Sequence, residues 1–258
     1  MRIRGYAPAT PCWAELTSSD PAASIAFYSG LFGWRTTETE VGSTVFTLRD
    51  LAAAGIVPTL TDGQPSAWLS YISTEEIDAT VEQVGNAGGT ILQPATEIGG
   101  RGTMAMLADP AGATFGLWQR GTFGGAQVAT EANAVCWTDL AVRDVPGAAA
   151  FYGKVFGWRD EEGSLPTGYD YREWWVNNRV VAGVTIIGDE WPAEVPAHWR
   201  TTIEVDDCAA TAARCRDLGG QVVLGPIDVN VGTYAQLIDP LGASFGIISL
   251  IPDLRLTP

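Results

Sequence analysis

The sequence predicts an α+β protein of two tandem domains, each made of two βαβββ modules whose mixed sheet curves around a cleft. Three observations carry that expectation. The stretch C-W-A-E-L-T-S-S-D-P-A-A-S-I-A-F-Y-S-G-L-F-G-W at 12–34 returns without a gap as C-W-T-D-L-A-V-R-D-V-P-G-A-A-A-F-Y-G-K-V-F-G-W at 136–158. D-P-A-G at 109–112 is matched by D-P-L-G at 239–242, each leading into an F-G pair. Within each half, a second strand-and-helix pattern follows the first, so the modules number four.

Each element has a local reason. Along 12–17 the side chains alternate, Cys12, Ala14 and Leu16 against Trp13, Glu15 and Thr17, which is the period of a half-buried strand. Asp20 is placed to cap a helix that Pro21 opens, Ser24, Phe27, Tyr28 and Leu31 form its apolar stripe, and Gly33 stops it. The second copy keeps Phe151, Tyr152, Val155 and Gly157 in the same places. Residues 44–48 and 53–57 read as a hairpin, 62–66 as a turn-rich break, and 68–73 as a strand. Residues 75–87 read as a helix with Ile77, Val81 and Val84 on one face and Gly88-Gly89 at its end. Strands follow around Ile91, over 104–107 and over 114–119, the last two joined by D-P-A-G as a type I turn. Residues 121–131 hold three glycines and no periodicity, so they read as a linker between domains at 8–120 and 132–250. The second half then repeats the order, with a hairpin at 174–177 and 180–187, a strand at 199–205 and a helix carrying Cys208, Ala212 and Cys215. Gly219-Gly220 ends that helix, and D-P-L-G leads into the closing strand.

A chain of 258 residues with 46% hydrophobic content can bury two ordinary cores. Its apolar runs are too interrupted to span a bilayer, and the opening M-R-I-R-G-Y-A-P-A-T-P lacks a secretory pattern, so a cytoplasmic location is expected. A net charge of −15, with Lys154 the one lysine, argues against nucleic acid or an anionic membrane as partner. Cys12 and Cys136 occupy equivalent places and Cys208 and Cys215 fall on a helix stripe, so all four read as small buried groups in a reducing compartment.

The motifs A-F-Y-x-x-x-F-G-W and D-P-x-G-A-x-F-G in four βαβββ modules resemble the vicinal oxygen chelate superfamily, which includes glyoxalase I, extradiol dioxygenases, fosfomycin resistance proteins and bleomycin-binding proteins. Over residues 8–250 the chain is similar to tandem glyoxalase-like proteins of the mycobacterial 27 kDa antigen type. The resemblance implies one metal ligand, usually His or Glu, from each of four strands per site. The matching positions hold Trp13, Leu69 and Gly116, with Gly55 or Ile56, in the first half. They hold Trp137, Arg200 and Gly246, with Gly183 or Val184, in the second. These side chains supply no set of three N, O or S ligands, so neither metal nor cofactor is expected, and the family's lyase and dioxygenase chemistry does not carry over.

What remains on the expected cleft faces is aromatic and charged. Trp13 with Glu15, Trp137 with Asp139, and Thr114, Gly116 and Trp118 project to the cleft side, glycine at 116 leaving room. The tryptophans either sandwich a flat ligand or plug the vacated site. Glu15 and Asp139 are candidate general bases or cleft-edge acids paired with an arginine. Arg200, with Glu204 on its face, is a candidate for a ligand's anionic or carbonyl oxygen or a cross-strand partner of Asp139. Tyr169, Tyr171, Trp174 and Trp175 form a hairpin cluster the first half lacks, of which Tyr171 and Trp174 are ligand-binding candidates. His198, the sole histidine, reads as a surface residue, and Gly99 to Gly102 lacks a phosphate-binding context. The expected function is metal-independent binding of a small apolar or aromatic metabolite, of the antibiotic or natural-product sequestration type. The alternative is a cofactor-free isomerase, cyclase or lyase using Glu15, Asp139 or Arg200, ahead of a metal-dependent glyoxalase or dioxygenase. The expected assembly is a monomer with an internal pseudo-dimer, or a homodimer.

Overall fold

A computed structural model describes residues 3, 5–40, 42–59, 61, 63–163 and 171–251. Local chemistry sets the helices much as the repeat requires. Asp20 accepts from Ala23 N at 3.1 Å ahead of α1 (Pro21–Phe32), and Asp144 accepts from Gly147 N at 3.0 Å ahead of α3 (Val145–Phe156). Both helices end on a left-handed glycine, Gly33 at φ 70° and Gly157 at φ 69°, a conformation in which a Cβ would be strained. The shorter helices of the second modules are α2 (Ile77–Asn86) and α4 (Cys208–Asp217), the latter capped by Asp207.

The strands of the first half are β1 (Pro11–Ser18), β2 (Arg35–Glu38), β3 (Thr44–Leu48), β4 (Leu51–Pro58), β5 (Ala67–Thr74), β6 (Thr90–Glu97), β7 (Gly102–Ala108) and β8 (Thr114–Arg120). Those of the second are β9 (Val135–Val142), β10 (Arg159–Glu162), β11 (Tyr171–Val176), β12 (Arg179–Ile186), β13 (His198–Glu204), β14 (Gln221–Val229), β15 (Gly232–Ile238) and β16 (Ser244–Leu250). They form two eight-stranded sheets of identical order, β2-β3-β4-β1-β5-β8-β7-β6 and β10-β11-β12-β9-β13-β16-β15-β14. In each, the first strands of the two modules pair antiparallel at the centre, β1 with β5 and β9 with β13. The α+β architecture of four βαβββ modules is as the repeat predicts. β2 and β10, absent from the element-by-element reading, are four-residue polar edge strands with no apolar alternation to betray them. Asp62, in the expected break at 62–66, and Tyr169 lie outside the described residues.

The chain does bury two principal cores, but each is shared between halves. One joins Leu16, Phe27, Tyr28, Phe32, Trp34 and Phe46 of the first module to Ile203, Cys208, Cys215, Leu237 and Phe245 of the fourth. The other joins Ile72, Val84, Leu107 and Phe115 of the second module to Phe151, Tyr152, Trp158 and Trp174 of the third, with Trp199 of the fourth beside them. The two sheets therefore pack against each other, with β5 against β13 at the centre and the helices meeting as α1 with α4 and α2 with α3, so the faces that carry Trp13 and Trp137 lie away from this seam.

The two sequence motifs meet in this seam. Trp68 Nε1 donates to Tyr28 Oη at 2.9 Å, and Tyr28 donates to Asp239 Oδ2 at 3.0 Å in the opposite half. Trp199 Nε1 donates to Tyr152 Oη at 2.9 Å, and Tyr152 donates to Asp109 Oδ2 at 3.0 Å. The other oxygen of each aspartate closes its own D-P-x-G turn, accepting from Leu241 N and Ala243 N, or from Ala111 N and Ala113 N, at 2.8–2.9 Å. Burial raises both carboxyls above the ordinary aspartate range while these donors pull them back. The motif tryptophans cross as well, Trp34 Nε1 to Asn133 O at 2.7 Å and Trp158 Nε1 to Ala9 O at 2.8 Å. Among the described residues all four cysteines are free; Cys12, Cys208 and Cys215 are buried and Cys136 is half-buried. None of the helices among them is long and apolar enough to cross a membrane.

Because each tyrosine hydroxyl satisfies a buried indole and a buried carboxylate, Tyr28→Phe and Tyr152→Phe should each lower unfolding free energy by about 1–3 kcal/mol in urea titrations. Either variant should weaken both halves together, in one transition followed by far-UV and tryptophan signals. Separate transitions for the two halves would contradict the shared cores.

Candidate functional site

Odd-numbered residues of β1 and β5 face the first concave surface. Glu15 lies between Gly55 on β4 and Leu69 on β5, and Trp13 pairs with Tyr71, which neighbours Gly116 on β8. Both glycines are required by what lies over them. A Cβ on Gly55 would fall 2.8 Å from Glu15 Oε2 and 3.0 Å from Trp13 Nε1, and one on Gly116 would run into the Tyr71 ring. The space expected at Gly116 is thus filled by the chain's own phenol. Tyr71 donates to Glu15 Oε1 at 2.9 Å. Burial raises the Glu15 carboxyl, with the Tyr71 hydroxyl and the Trp13 indole N–H opposing the rise.

A segment of the expected linker closes this cleft. Phe123 meets Trp13 edge-on at 5.0 Å between centroids and Trp118 at 5.9 Å, while its carbonyl accepts from Trp118 Nε1 at 2.9 Å. Arg101 stacks on the outer face of Phe123 at 4.4 Å. Ala126 N and Gln127 N then bond to Cys12 O and Ala52 O at 2.9 and 2.8 Å, which seats the strap. Cys12 itself belongs to this concave cluster and not to the Ala14–Leu16 face, because a bulge between Pro11 and Trp13 breaks the alternation. The result is a buried surface: Trp13 is 9%, Leu69 6%, Tyr71 2% and Trp118 7% exposed.

The second concave surface has the same backbone and different chemistry. Asp139 lies between Gly183 on β12 and Arg200 on β13. Its Oδ2 accepts from Arg200 Nε at 2.9 Å and from Thr185 Oγ1 at 2.9 Å, and forms an ion pair with Arg200 Nη2. Burial works against the guanidinium's charge, but Asp139 holds the arginine above its ordinary range. Asp139 thus stands in the arginine-paired arrangement that was the alternative to a free base. Trp137 Nε1 donates to Tyr171 Oη at 2.7 Å, and that hydroxyl sits directly over Gly183. Tyr234 of β15 covers Gly246 on β16 and donates to Gln236 Oε1. Burial pushes the Tyr234 phenol up to about 12. Among the described residues no strap covers this face, and Trp137, Tyr171, Arg200 and Tyr234 are all partly exposed.

Other expectations sort by face. Trp174 lines no cleft: it is fully buried in the shared core against Tyr152 and Trp158, since the strand turns it away from Tyr171. Trp175 is half-buried and donates to Glu173 at 3.3 Å. Glu204 is buried at the far end of β13. His198 is half-buried, bonded through Nδ1 to Pro196 O at 2.9 Å, and burial lowers its pKa. Phe123, Tyr71 and Tyr234 escaped the sequence reading. Tyr71, two residues after Leu69 on one strand face, was within reach of the alternation rule.

The family's metal seats do not fit an ion here. The register puts Glu15 and Asp139 beside glycine, leucine or arginine, with Glu173 of β11 across from Gly183 on the second face, and among the described residues no three His, Cys, Asp or Glu side chains are grouped to hold a metal.

Comparison with known proteins agrees with the fold. Residues 12–117 match the Glyoxalase/Bleomycin resistance protein/Dioxygenase superfamily model, and 136–248 match a glyoxalase-like domain. The chain is 35% identical over 257 residues to the putative glyoxylase CFP32 of Mycobacterium tuberculosis, covering 96% of this chain and 97% of that protein. It is 34% identical to the anthracycline biosynthesis protein DnrV of Streptomyces peucetius, covering 95% and 94%. Among solved structures, the Mn(II)-bound glyoxalase from Novosphingobium aromaticivorans superposes with a TM-score of 0.64 at 15% identity, over 94% of this chain and 82% of that one.

A carboxyl raised by burial favours the fold when protonated: that contribution is full below the unfolded pKa and is lost as pH rises through the folded one. Glu15→Gln, which keeps an acceptor for Tyr71, should therefore gain Tm relative to the parent as pH rises from 4.5 to 8. A pH-independent difference in paired melting curves would show that the Glu15 charge is well solvated.

Proposed function

We propose that this chain, which belongs to the glyoxalase/bleomycin resistance protein/dioxygenase superfamily, binds a small, flat, mostly aromatic molecule in the concave face of its second half, without a metal ion. One observation carries the reading: the two clefts share a backbone but not an exposure. In the first, Phe123 stands where an aromatic guest would lie, edge-on to Trp13 and Trp118. In the second, an indole, two phenols and a guanidinium remain partly open. Aromatic area supplies affinity and the few polar groups supply orientation.

The relative named for anthracycline biosynthesis supports a polycyclic aromatic ligand class. The net charge of −15 supports a small molecule rather than nucleic acid as partner, and a cytoplasmic setting accords with four free thiols. Binding outranks catalysis because Asp139 is tied to Arg200 and Glu15 lies on the face that Phe123 covers.

The test is a fluorescence and thermal-shift titration of the full chain with naphthalene-, anthracene- and anthraquinone-2-sulfonate. Saturable one-to-one binding is expected, unaffected by EDTA, with a gain of about 2.7 kcal/mol in stability at a hundred times the dissociation constant. Trp137→Leu should weaken it at least tenfold, and Val45→Ala in the covered cleft should not. Failure of all three probes to saturate, or binding lost to EDTA and restored by Mn²⁺, would overturn the reading.

A further inference from the structure

In the first cleft the phenol nearest the acid spends its proton internally, since Tyr71 donates to Glu15. The second cleft is wired in the opposite sense. Tyr171 Oη accepts from Trp137 Nε1 at 2.7 Å, so one lone pair is taken and the hydroxyl proton is left to donate. Among the described residues that proton has no acceptor. Of the two carboxylates that act on it, Asp139 receives Thr185 Oγ1 and the Arg200 guanidinium on Oδ2, and Glu173 accepts from Trp175 Nε1 at 3.3 Å. The Tyr234 hydroxyl is committed to Gln236.

Arg200 contributes a second donor. Its Nε and Nη2 are used on Asp139 and Thr185, and Nη1 makes no hydrogen bond among the described residues. Asp139, which pairs with Arg200, pairs on its other side with the Gly183 that the Tyr171 hydroxyl covers, so Arg200 and Tyr171 flank the same acid on one patch of cleft. An N–H donated into a phenol oxygen polarises the O–H beyond it, making Tyr171 a stronger donor than an isolated tyrosine. Burial, with the Asp139 charge second, raises the Tyr171 pKa and keeps the phenol protonated. The hydroxyl stands over Gly183, one of the four positions from which metal-dependent relatives are expected to present a ligand.

We infer that Tyr171 Oη–H and Arg200 Nη1 form an oxygen-binding subsite, and that the ligand of the second cleft is an aromatic ketone or quinone whose carbonyl oxygen accepts from both. The inference rests on the aromatic-binding reading above and adds the functional group that the cleft selects. Two neutral-or-cationic donors suit a carbonyl oxygen. A bare hydrocarbon would leave both donors desolvated and unpaired.

The experiment compares anthraquinone-2-sulfonate with anthracene-2-sulfonate, which share rings and charge and differ in the carbonyls. The parent chain should bind the quinone about tenfold more tightly, the worth of one well-made hydrogen bond to a polarised donor. Tyr171→Phe, which keeps the ring over Gly183, should remove most of that preference by weakening the quinone. Trp137→Phe should reduce the preference by removing the donor that polarises the phenol. Equal binding of both probes, or a preference that survives Tyr171→Phe in a variant whose Tm matches the parent, would overturn the subsite and leave the aromatic-binding reading standing. Saturation by neither probe would overturn both.

Discussion

The structure depends on a phenol placed between an indole and a carboxylate that belong to different halves of the chain. Tyr28 reaches Asp239 and Tyr152 reaches Asp109, each while accepting from a tryptophan on its own side or the neighbouring strand. Buried phenols, indoles and carboxylates all carry a desolvation penalty, and these triads meet it by satisfying one another. They also explain why two distant motifs recur together. A-F-Y presents the hydroxyl, D-P-x-G presents an aspartate whose free oxygen faces it, and F-G-W sends a second indole across the seam to a backbone carbonyl. The pairing is reciprocal, as a pseudo-two-fold arrangement of duplicated halves demands. The duplicated motifs are the cement of the molecule, and they occupy the seam away from either cleft.

Packing the sheets against each other fixes where chemistry can occur. The helices and large aromatics lie in the seam, so only the concave faces remain, and each has one acid on its first strand with a glycine beside it. Both faces have replaced a side chain at that glycine with an overhanging aromatic or carboxylate from a neighbouring strand. The first face is then sealed by Phe123 on a strap hydrogen-bonded to Cys12 and Ala52. With that face sealed, it is the second face whose aromatic and charged groups remain partly exposed.

The fold was legible because its signals are local and repeated: a capped helix start, a glycine stop and an aspartate turn, each given twice. Strand alternation also put Trp13, Glu15, Trp137 and Asp139 on the correct face. What sequence could not convey was partnership across space. Two cores were expected from length, yet nothing in a linear pattern says that each is drawn from both halves. Trp174 sits beside Tyr171 in an aromatic run, and only the strand's turn sends one to the seam and the other to the cleft. Phe123 falls in a glycine-rich stretch with no period, so its role as a plug had no signature. The short polar strands β2 and β10 lacked the apolar rhythm by which strands are recognised.

The difference between the clefts can be traced to one position on the first strand of each second module. Where the first half has Leu69, the second has Arg200. An aliphatic neighbour leaves Glu15 without a cation, so the acid draws on the hydroxyl of Tyr71 and the indole of Trp13, and every polar group on that face turns inward. A guanidinium neighbour takes up Oδ2 of Asp139, and neither the phenol nor the indole bonds to the acid. They bond to each other instead, the indole donating to the phenol oxygen. A buried ion pair contributes little net stability once desolvation is counted. Its effect here is directional: by occupying one carboxylate oxygen it goes with a different hydrogen-bond pattern among the phenol and indole of that face.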